Sequence, residues 1–540
     1  MRAEETISDT TACRKQPTYS TPIFRDTAAG SPPQPGQDHP RFSPRVRKRV
    51  FTSLITNANR LPIRPEFSER DKQQRGKHMA LSPALIQEFR NIVGQDNVLT
   101  SEADRQAYSY DAAVLTPVVP ALVVRPLEEE QLGKVVKLAY DGDLPITVRG
   151  SGTNLSGGVI PEEGGGIVIL TNGLNKIIEI NEEDLYAVVQ PGVITAQFAA
   201  AVAAKGLFYP PDPGSQSVST LGGNVAMNAG GLRGLKYGVT KDYVMGMEIF
   251  DHRGELVKTG SRTVKCVTGY NLAGLMICSE GTLGVFSNII LKLVPPPKAS
   301  KAMMAVFDDI NKASEAVAGI IASHIVPCTL EIMDQQCIKY VEAHTKAGLP
   351  VEAAAILLIE VDGGHAQLVE DDAAKVMEVC KKSGATELRV AQSAEEKFKI
   401  WEARRNALPA LARAKPTTVL EDATVPRSKI PAMVAAVNHI AKKYNLEIGT
   451  FGHAGDGNLH PTILCDRRNK EEFHRVEQAV DEIFDVALKL QGTLSGEHGI
   501  GMAKAKWMEK ETNRATIEFS KNLRRALDPK YLFNAGKKIV

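Results

Sequence analysis

Apolar and polar positions alternate along most of this chain with two periods, one near 3.6 residues and one near 2. SPALIQEFRNIVGQ (82–95) sets a serine before apolar residues spaced by three and four, which predicts a capped amphipathic helix. Short runs rich in Val and Ile follow at ALVVRP (121–126), PITVRG (145–150), GIVILTNG (166–173), NKIIEI (175–180) and YAVVQPG (186–192), and these predict strands. Helical spacing returns at 127–143 and at 194–206, the latter closed by a glycine. VMGMEIFDHRGELVKTG (244–260) reads as a hairpin turning at HRG, and VFSNIILKLVPPP (285–297) as a strand stopped by three prolines.

Beyond 300 the strand–helix repetition continues with different loops. Strands are predicted at 302–308 and 354–363, with helices near 310–323 and 366–383. The last 50 residues hold a glycine-rich loop, a helix and the tail LFNAGKKI. The expected organisation is an extension over 1–78, a helical lead-in over 79–116, an α/β-alternating domain over 117–297, an α+β domain over 298–490 and a C-terminal segment over 491–540.

Composition narrows the class. The 540 residues are 43% hydrophobic and 24% charged, ordinary globular usage. No apolar run approaches the roughly 18 residues of a helical membrane span. Residues 1–78 carry 15 basic and 8 acidic residues and 9 of the 30 prolines, without apolar periodicity. Such a stretch is expected to be a disordered basic extension, or an over-long gene start ahead of Met79. Its acids and prolines disfavour a transit peptide. The remainder carries 50 basic against 55 acidic residues, a poor balance for a nucleic-acid binder working through phosphate contacts.

The seven cysteines (13, 266, 278, 328, 337, 380 and 465) are scattered and form no CxxC. This disfavours a disulfide framework, and a reducing, cytoplasmic setting is expected, with any inner-membrane association made through a partner. The spacing also excludes an iron–sulfur cluster held by this chain alone.

Three segments concentrate glycine. In the first, Arg149, Gly150, Ser151, Gly152, Thr153, Asn154, Leu155, Ser156, Gly157 and Gly158 follow a predicted strand. Glycines allow close backbone approach, and successive N–H groups form an anion nest suited to a pyrophosphate. Leu155 stands where a Rossmann fingerprint needs its third glycine, which disfavours an NAD-dependent dehydrogenase. The second, Tyr209 to Gly238, is a thirty-residue stretch of Gly, Asn, Ser and Pro, a length unusual for a loop that serves no site. The third is SEGTLG (279–284).

RGSGTNLSGG, PPDPGS…TLGGNVAMNAGG and SEGTLG, in this order, resemble the FAD-binding domain of the vanillyl-alcohol oxidase superfamily. FGHAGDGNLHPTI and GEHGIGMAKAKW narrow the likeness: from about residue 90 to 540 the chain resembles the D-lactate dehydrogenase and glycolate oxidase flavoprotein-subunit family. The resemblance implies an α+β protein with a two-subdomain FAD-binding domain of the vanillyl-alcohol oxidase (PCMH) type and an α+β substrate cap. It further implies that Arg149 to Gly158 cradle the pyrophosphate, that Pro211, Asp212, Thr220, Gly222, Gly223, Asn228 and Gly230 run along the dinucleotide, that Glu280 and Gly284 meet its adenine side, and that Asn534 returns toward the flavin. Residues 149–158 contain no histidine to carry FAD, so the cofactor is expected to be non-covalent.

His453 and His460 flank a Gly-Asp-Gly turn able to bring both rings to one point, and Glu497 and His498 lie in the second glycine-rich loop. Two neutral imidazoles and a carboxylate suit Zn²⁺, Mn²⁺ or Fe²⁺. The resemblance implies that His453, His460 and Glu497 bind the metal and that His498 is the catalytic base. Arg404, in WEARRNAL, is the candidate clamp for a substrate carboxylate, with Arg405 as its rival.

The implied reaction is oxidation of a D-2-hydroxy acid. Leu408 and Leu420 stand where relatives acting on dicarboxylates have polar contacts, and Thr462 where they have an Asn, favouring D-lactate or glycolate over 2-hydroxyglutarate. Electrons would leave to a quinone, a cytochrome, an electron-transfer flavoprotein or an iron–sulfur subunit. The rival readings are a flavoenzyme resembling alkyl-dihydroxyacetone-phosphate synthase, which the His–Glu pattern disfavours, and a flavin subunit that needs an iron–sulfur partner for activity.

Overall fold

The computed structural model describes residues 81–539, and the extension expected over 1–78 lies outside them. Three sheets organise the described chain.

The first sheet contains β1 (Val98–Leu99), β2 (Leu122–Val124), β3 (Ile146–Arg149) and β4 (Ile167–Leu170), in the order β1-β2-β4-β3. β2, β4 and β3 run parallel, and β1 is antiparallel at the edge. Parallel pairing requires a crossover, supplied between β2 and β3 by the helix Glu129–Asp141. That helix starts at a capping box in which Gln131 Oε1 accepts from the Glu128 N–H. The serine cap expected at residue 82 is present, accepting from the Leu85 N–H at 3.2 Å.

The second sheet is antiparallel: β5 (Ile177–Asn181), β6 (Tyr186–Val189), β7 (Val244–Phe250), β8 (Leu256–Gly260) and β9 (Val285–Lys292), ordered β5-β6-β9-β7-β8. β7 and β8 form the hairpin read at 244–260. The stretch 209–238 is not the continuous loop expected, because it holds helices Leu221–Met227 and Gly234–Tyr237. The first is capped by the Thr220 hydroxyl and ends on Asn228 in the left-handed region, a stop that Asn tolerates.

The third sheet is antiparallel, with eight strands: β10 (Ala299–Phe307), β11 (Thr329–Asp334), β12 (Ala355–Gly363), β13 (Glu387–Val390), β14 (Thr417–Leu420), β15 (Ala423–Thr424), β16 (Glu447–His453) and β17 (Asn458–Cys465). Its order is β13-β10-β12-β11-β16-β17-β14, with β15 also on β17. One face, including Leu330, Ile332, Leu459 and Ile463, packs into the largest core with helices Ile310–Ala322, Ile430–Tyr444 and Lys470–Lys489. The other face turns Glu331, Phe451, His453 and His460 away from that core. No helix among the described residues is long and apolar enough to cross a membrane.

The C-terminal tail returns to the first sheet. Phe533 bridges to Ile146 and is fully buried. Asp528 holds the turn: its buried carboxylate accepts from Tyr140 Oη (2.9 Å), the Leu532 N–H (3.1 Å) and the Phe533 N–H (2.9 Å). Asp528→Ala leaves these donors without their acceptor and is expected to cost about 2–4 kcal/mol, read as a lowered thermal midpoint.

Candidate active site

A cavity of about 530 Å³ runs from the glycine-rich loop after β3 to the hairpin β16–β17. Gly150, Ser151, Gly152, Thr153, Asn154, Thr220, Gly222, Gly223, Gly230, Glu280 and Gly284 face it. Asn154 shapes the loop from within, since its Oδ1 accepts from the N–H groups of Ser156 (2.9 Å) and Gly158 (2.6 Å). Gly152 has φ +74°, and a side chain there would run into the guanidinium of Arg149.

Arg149, Ser156, Gly157, Pro211, Asp212, Asn228 and Asn534 stand behind the wall rather than on it. Arg149 Nη1 donates to the Tyr110 carbonyl at 2.6 Å. Asp212 accepts from the Arg233 N–H, and burial pushes its carboxyl up to about 6. Asn228 accepts from the Lys241 N–H. Asn534 Nδ2 donates to the carbonyls of Gly158 (2.8 Å) and Glu280 (2.6 Å), fastening the first glycine loop to the SEGTLG turn. The Glu280 carboxylate is already engaged, accepting from the Ile500 and Gly501 N–H groups and from Lys538 Nζ.

The histidines occupy the far end. His453 closes β16 and His460 lies in β17, so the turn expected between them is a β-hairpin turn over residues 454–457. Both Nε2 atoms approach Glu497 Oε1, at 3.2 and 3.3 Å. The ring of His498 stacks on that of His460, with centroids 5.0 Å apart. Burial pushes the His498 pKa down to about 4, against the raising effect of Asp422, so this imidazole is neutral at neutral pH.

Arg404 sits in the last turn of the helix Ala394–Arg405 and is buried, whereas Arg405 is exposed; both border the cavity. Its guanidinium lies 4.8 Å from the Phe451 ring centre, and its Nε donates to Glu331 Oε2 at 2.6 Å.

Two buried carboxylates hold this end together, and neither stood out in the sequence. Glu331 in β11 pairs with Arg404 and, through Oε1, with His453 Nδ1 at 2.7 Å. Asp422 Oδ2 accepts from Ser495 Oγ (2.6 Å) and the N–H groups of Glu497 (3.0 Å) and His498 (2.9 Å), while Oδ1 accepts from Asn458 Nδ2 (2.5 Å). The available signal was an acidic residue inside a β-patterned run, TLEIMD, and one at the end of another, TTVLED.

The donor set fits a divalent cation. A carboxylate only accepts, so Glu331 places the His453 proton on Nδ1. Against the lowering effect of burial, the Glu331 and Glu497 carboxylates hold the His453 pKa well above its ordinary value, so the Nε2–Glu497 contact is one that a proton bridges and that a metal ion can take over. His453, His460 and Glu497 each bring one ligand atom within 4.8 Å of the others. Asp422, His460 and His498 also meet that criterion, but the near-parallel rings of His460 and His498 (8° apart) cannot aim both lone pairs at one ion.

Residues 120–260 match the family described as "FAD binding domain", and residues 296–538 match "FAD linked oxidases, C-terminal domain". The fold is shared with p-cresol methylhydroxylase, solved with substrate bound: TM-score 0.70, 19% identity, covering 84% of this chain and 96% of that one. The matched domains thus define a flavin-binding oxidoreductase whose fold is of the PCMH type.

The chain is 50% identical over 446 residues to "Glycolate oxidase subunit GlcD" of Bacillus subtilis (strain 168), covering 83% of this chain and 94% of that protein. It is 32% identical over 467 residues to a D-lactate dehydrogenase of Anaerostipes hadrus, covering 85% and 97%. The chain belongs to the FAD-linked oxidase family.

Gly152→Ala forces a left-handed, occupied position to carry a side chain. It is expected to cost about 1–3 kcal/mol and to lower the flavin-to-protein ratio retained through gel filtration.

Proposed function

We propose that this enzyme oxidises a small D-2-hydroxy acid, D-lactate or glycolate, to the 2-oxo acid, with FAD held non-covalently and a divalent metal held by His453, His460 and Glu497. The observation that carries this reading is that these three residues, His498 and Arg404 border the same cavity as the glycine-rich cradle. The relatives named as a glycolate oxidase subunit and a D-lactate dehydrogenase support it.

When bound, FAD supplies the acceptor for the α-hydrogen and its electron pair, and the metal supplies a Lewis acid that acidifies the substrate hydroxyl. The chain's own residues do the rest. Arg404, its Nε engaged by Glu331, offers its remaining N–H groups to the substrate carboxylate. His498, neutral at working pH, takes the hydroxyl proton on its imidazole. Gly150 to Asn154 and Gly222 to Gly223 bring backbone against the dinucleotide.

Leu408, Leu420 and Phe451 border the substrate end, with Arg404 as the buried guanidinium there. That lining favours a short monocarboxylate over 2-hydroxyglutarate, whose second carboxylate needs a further buried cation. The described cysteines are all free, and none belongs to a metal-capable group among the described residues. Electrons therefore pass to an outside acceptor: a quinone, a cytochrome, an electron-transfer flavoprotein or an iron–sulfur subunit.

Anaerobic titration with D-lactate, L-lactate, glycolate and D-2-hydroxyglutarate tests the reading through the flavin's visible absorbance. Bleaching by D-lactate or glycolate is expected, lost on chelation and restored by Zn²⁺ or Mn²⁺. A yellow protein that none of these acids bleaches would overturn it. His498→Ala should keep its flavin while flavin reduction slows by about 10²–10⁴-fold, followed by stopped-flow absorbance.

A further inference from the structure

Glu331 touches two groups that the proposed chemistry uses separately. It is fully buried in the middle of β11, and each of its oxygens meets one N–H donor. Oε2 accepts from Arg404 Nε at 2.6 Å, and Oε1 faces His453 Nδ1 at 2.7 Å. The two contacts bind residues 73 and 122 positions away into one unit.

We infer that Glu331 is a positioning residue that sets the metal ligand His453 and the carboxylate clamp Arg404 in a single register. This role rests on the metal and substrate assignments proposed above.

The physical ground is acceptor capacity. A carboxylate accepts on both oxygens, so it satisfies both donors at once. Holding the proton on His453 Nδ1 leaves Nε2, 3.2 Å from Glu497 Oε1, as the ring nitrogen that a metal ion would take, the tautomer a metal ligand needs. Holding Arg404 by Nε and stacking it on Phe451 fixes the plane of the guanidinium, so its free edge has one orientation. The spacing between cation site and clamp is then set by one rigid side chain on a central strand.

An amide has a single acceptor oxygen, so Glu331→Gln must break this arrangement. Arg404 is the charged donor and takes the oxygen. The amide NH₂ then faces His453 and drives its proton to Nε2, where it blocks coordination.

The test uses the full-length, FAD-loaded chain after chelation. Glu331→Gln is expected to weaken Mn²⁺ binding, measured by isothermal titration, by about 10–100-fold. It should raise KM for the bleaching hydroxy acid more than it lowers kcat, with flavin content unchanged. A folded, flavin-loaded variant whose Mn²⁺ affinity and KM both stay within about threefold of wild type would overturn the role, since that lies below the usual cost of losing such a partner. If the Gln variant does not fold, Glu331→Asp keeps the charge but is one methylene too short to span both donors. Wild-type values for Mn²⁺ affinity and KM in that variant would equally overturn the role, and loss in either supports it. A wild-type chain that binds Mn²⁺ but is bleached by no hydroxy acid removes the substrate reading and leaves the metal arm of the test in force. A wild-type chain that binds neither Mn²⁺ nor Zn²⁺ removes both.

Discussion

The arrangement of the histidine end of the cavity depends on a carboxylate that never reaches the cavity. Asp422 is fully buried, yet its oxygens take the backbone of Glu497 and His498, the hydroxyl of Ser495 and the side chain of Asn458. Burying an ionised carboxylate is costly unless donors replace the lost water. Here four donors do so, with Lys504 Nζ 4.0 Å away. Each donor belongs to a segment that has to be somewhere in particular. Asn458 begins the second strand of the histidine hairpin, and Ser495 to His498 form the loop that carries the proposed base. One buried charge thus ties the hairpin to the loop, beside the backbone bridge that Thr493 makes to Thr424 of β15.

The same device recurs at the flavin end, where chain termini of elements are tied by side chains. Asn534 joins two glycine-rich turns, and Asp528 anchors the tail that brings Asn534 there. Glycine-rich backbone approaches a ligand closely but holds its own shape poorly. Asn154, Asn534 and Glu280 supply that shape by accepting and donating across the turns. The residues behind the cavity wall are therefore as much a part of the cradle as those on it.

Much of this was legible along the chain, and the omissions have a common cause. Strands with clean apolar runs, such as 167–170 and 186–189, and helices with apolar spacing at three and four, such as 366–382, lie within the segments read for them. Glycine-rich loops announced a ligand cradle because glycine is the residue that a close backbone approach requires. β11, β16 and β17 were missed as strands. TLEIMD and FGHAGDGNLH carry charged and imidazole groups at positions that local periodicity reserves for apolar ones, because the sheet's second face is the site. The long stretch 209–238 hid two short helices because Gly and Asn lower helix propensity, while a Thr cap and tertiary packing form them regardless. Glu331 and Asp422 were invisible for a different reason: a buried acceptor is defined by donors distant in sequence, and no local pattern records them.

The seam between the two glycine-rich loops has a further consequence. The Ser156 carbonyl accepts from the N–H groups of Met502 and Ala503, and the Glu280 carboxylate accepts from those of Ile500 and Gly501. The loop that carries Glu497 and His498 is therefore hydrogen-bonded to the walls of the dinucleotide cradle. Ordering of the cradle and occupation of the proposed site at Glu497 would thus act on one hydrogen-bonded unit. For the proposed cation site, thermodynamic linkage makes any such influence reciprocal: flavin would change cation affinity by the same factor by which the cation changes flavin affinity.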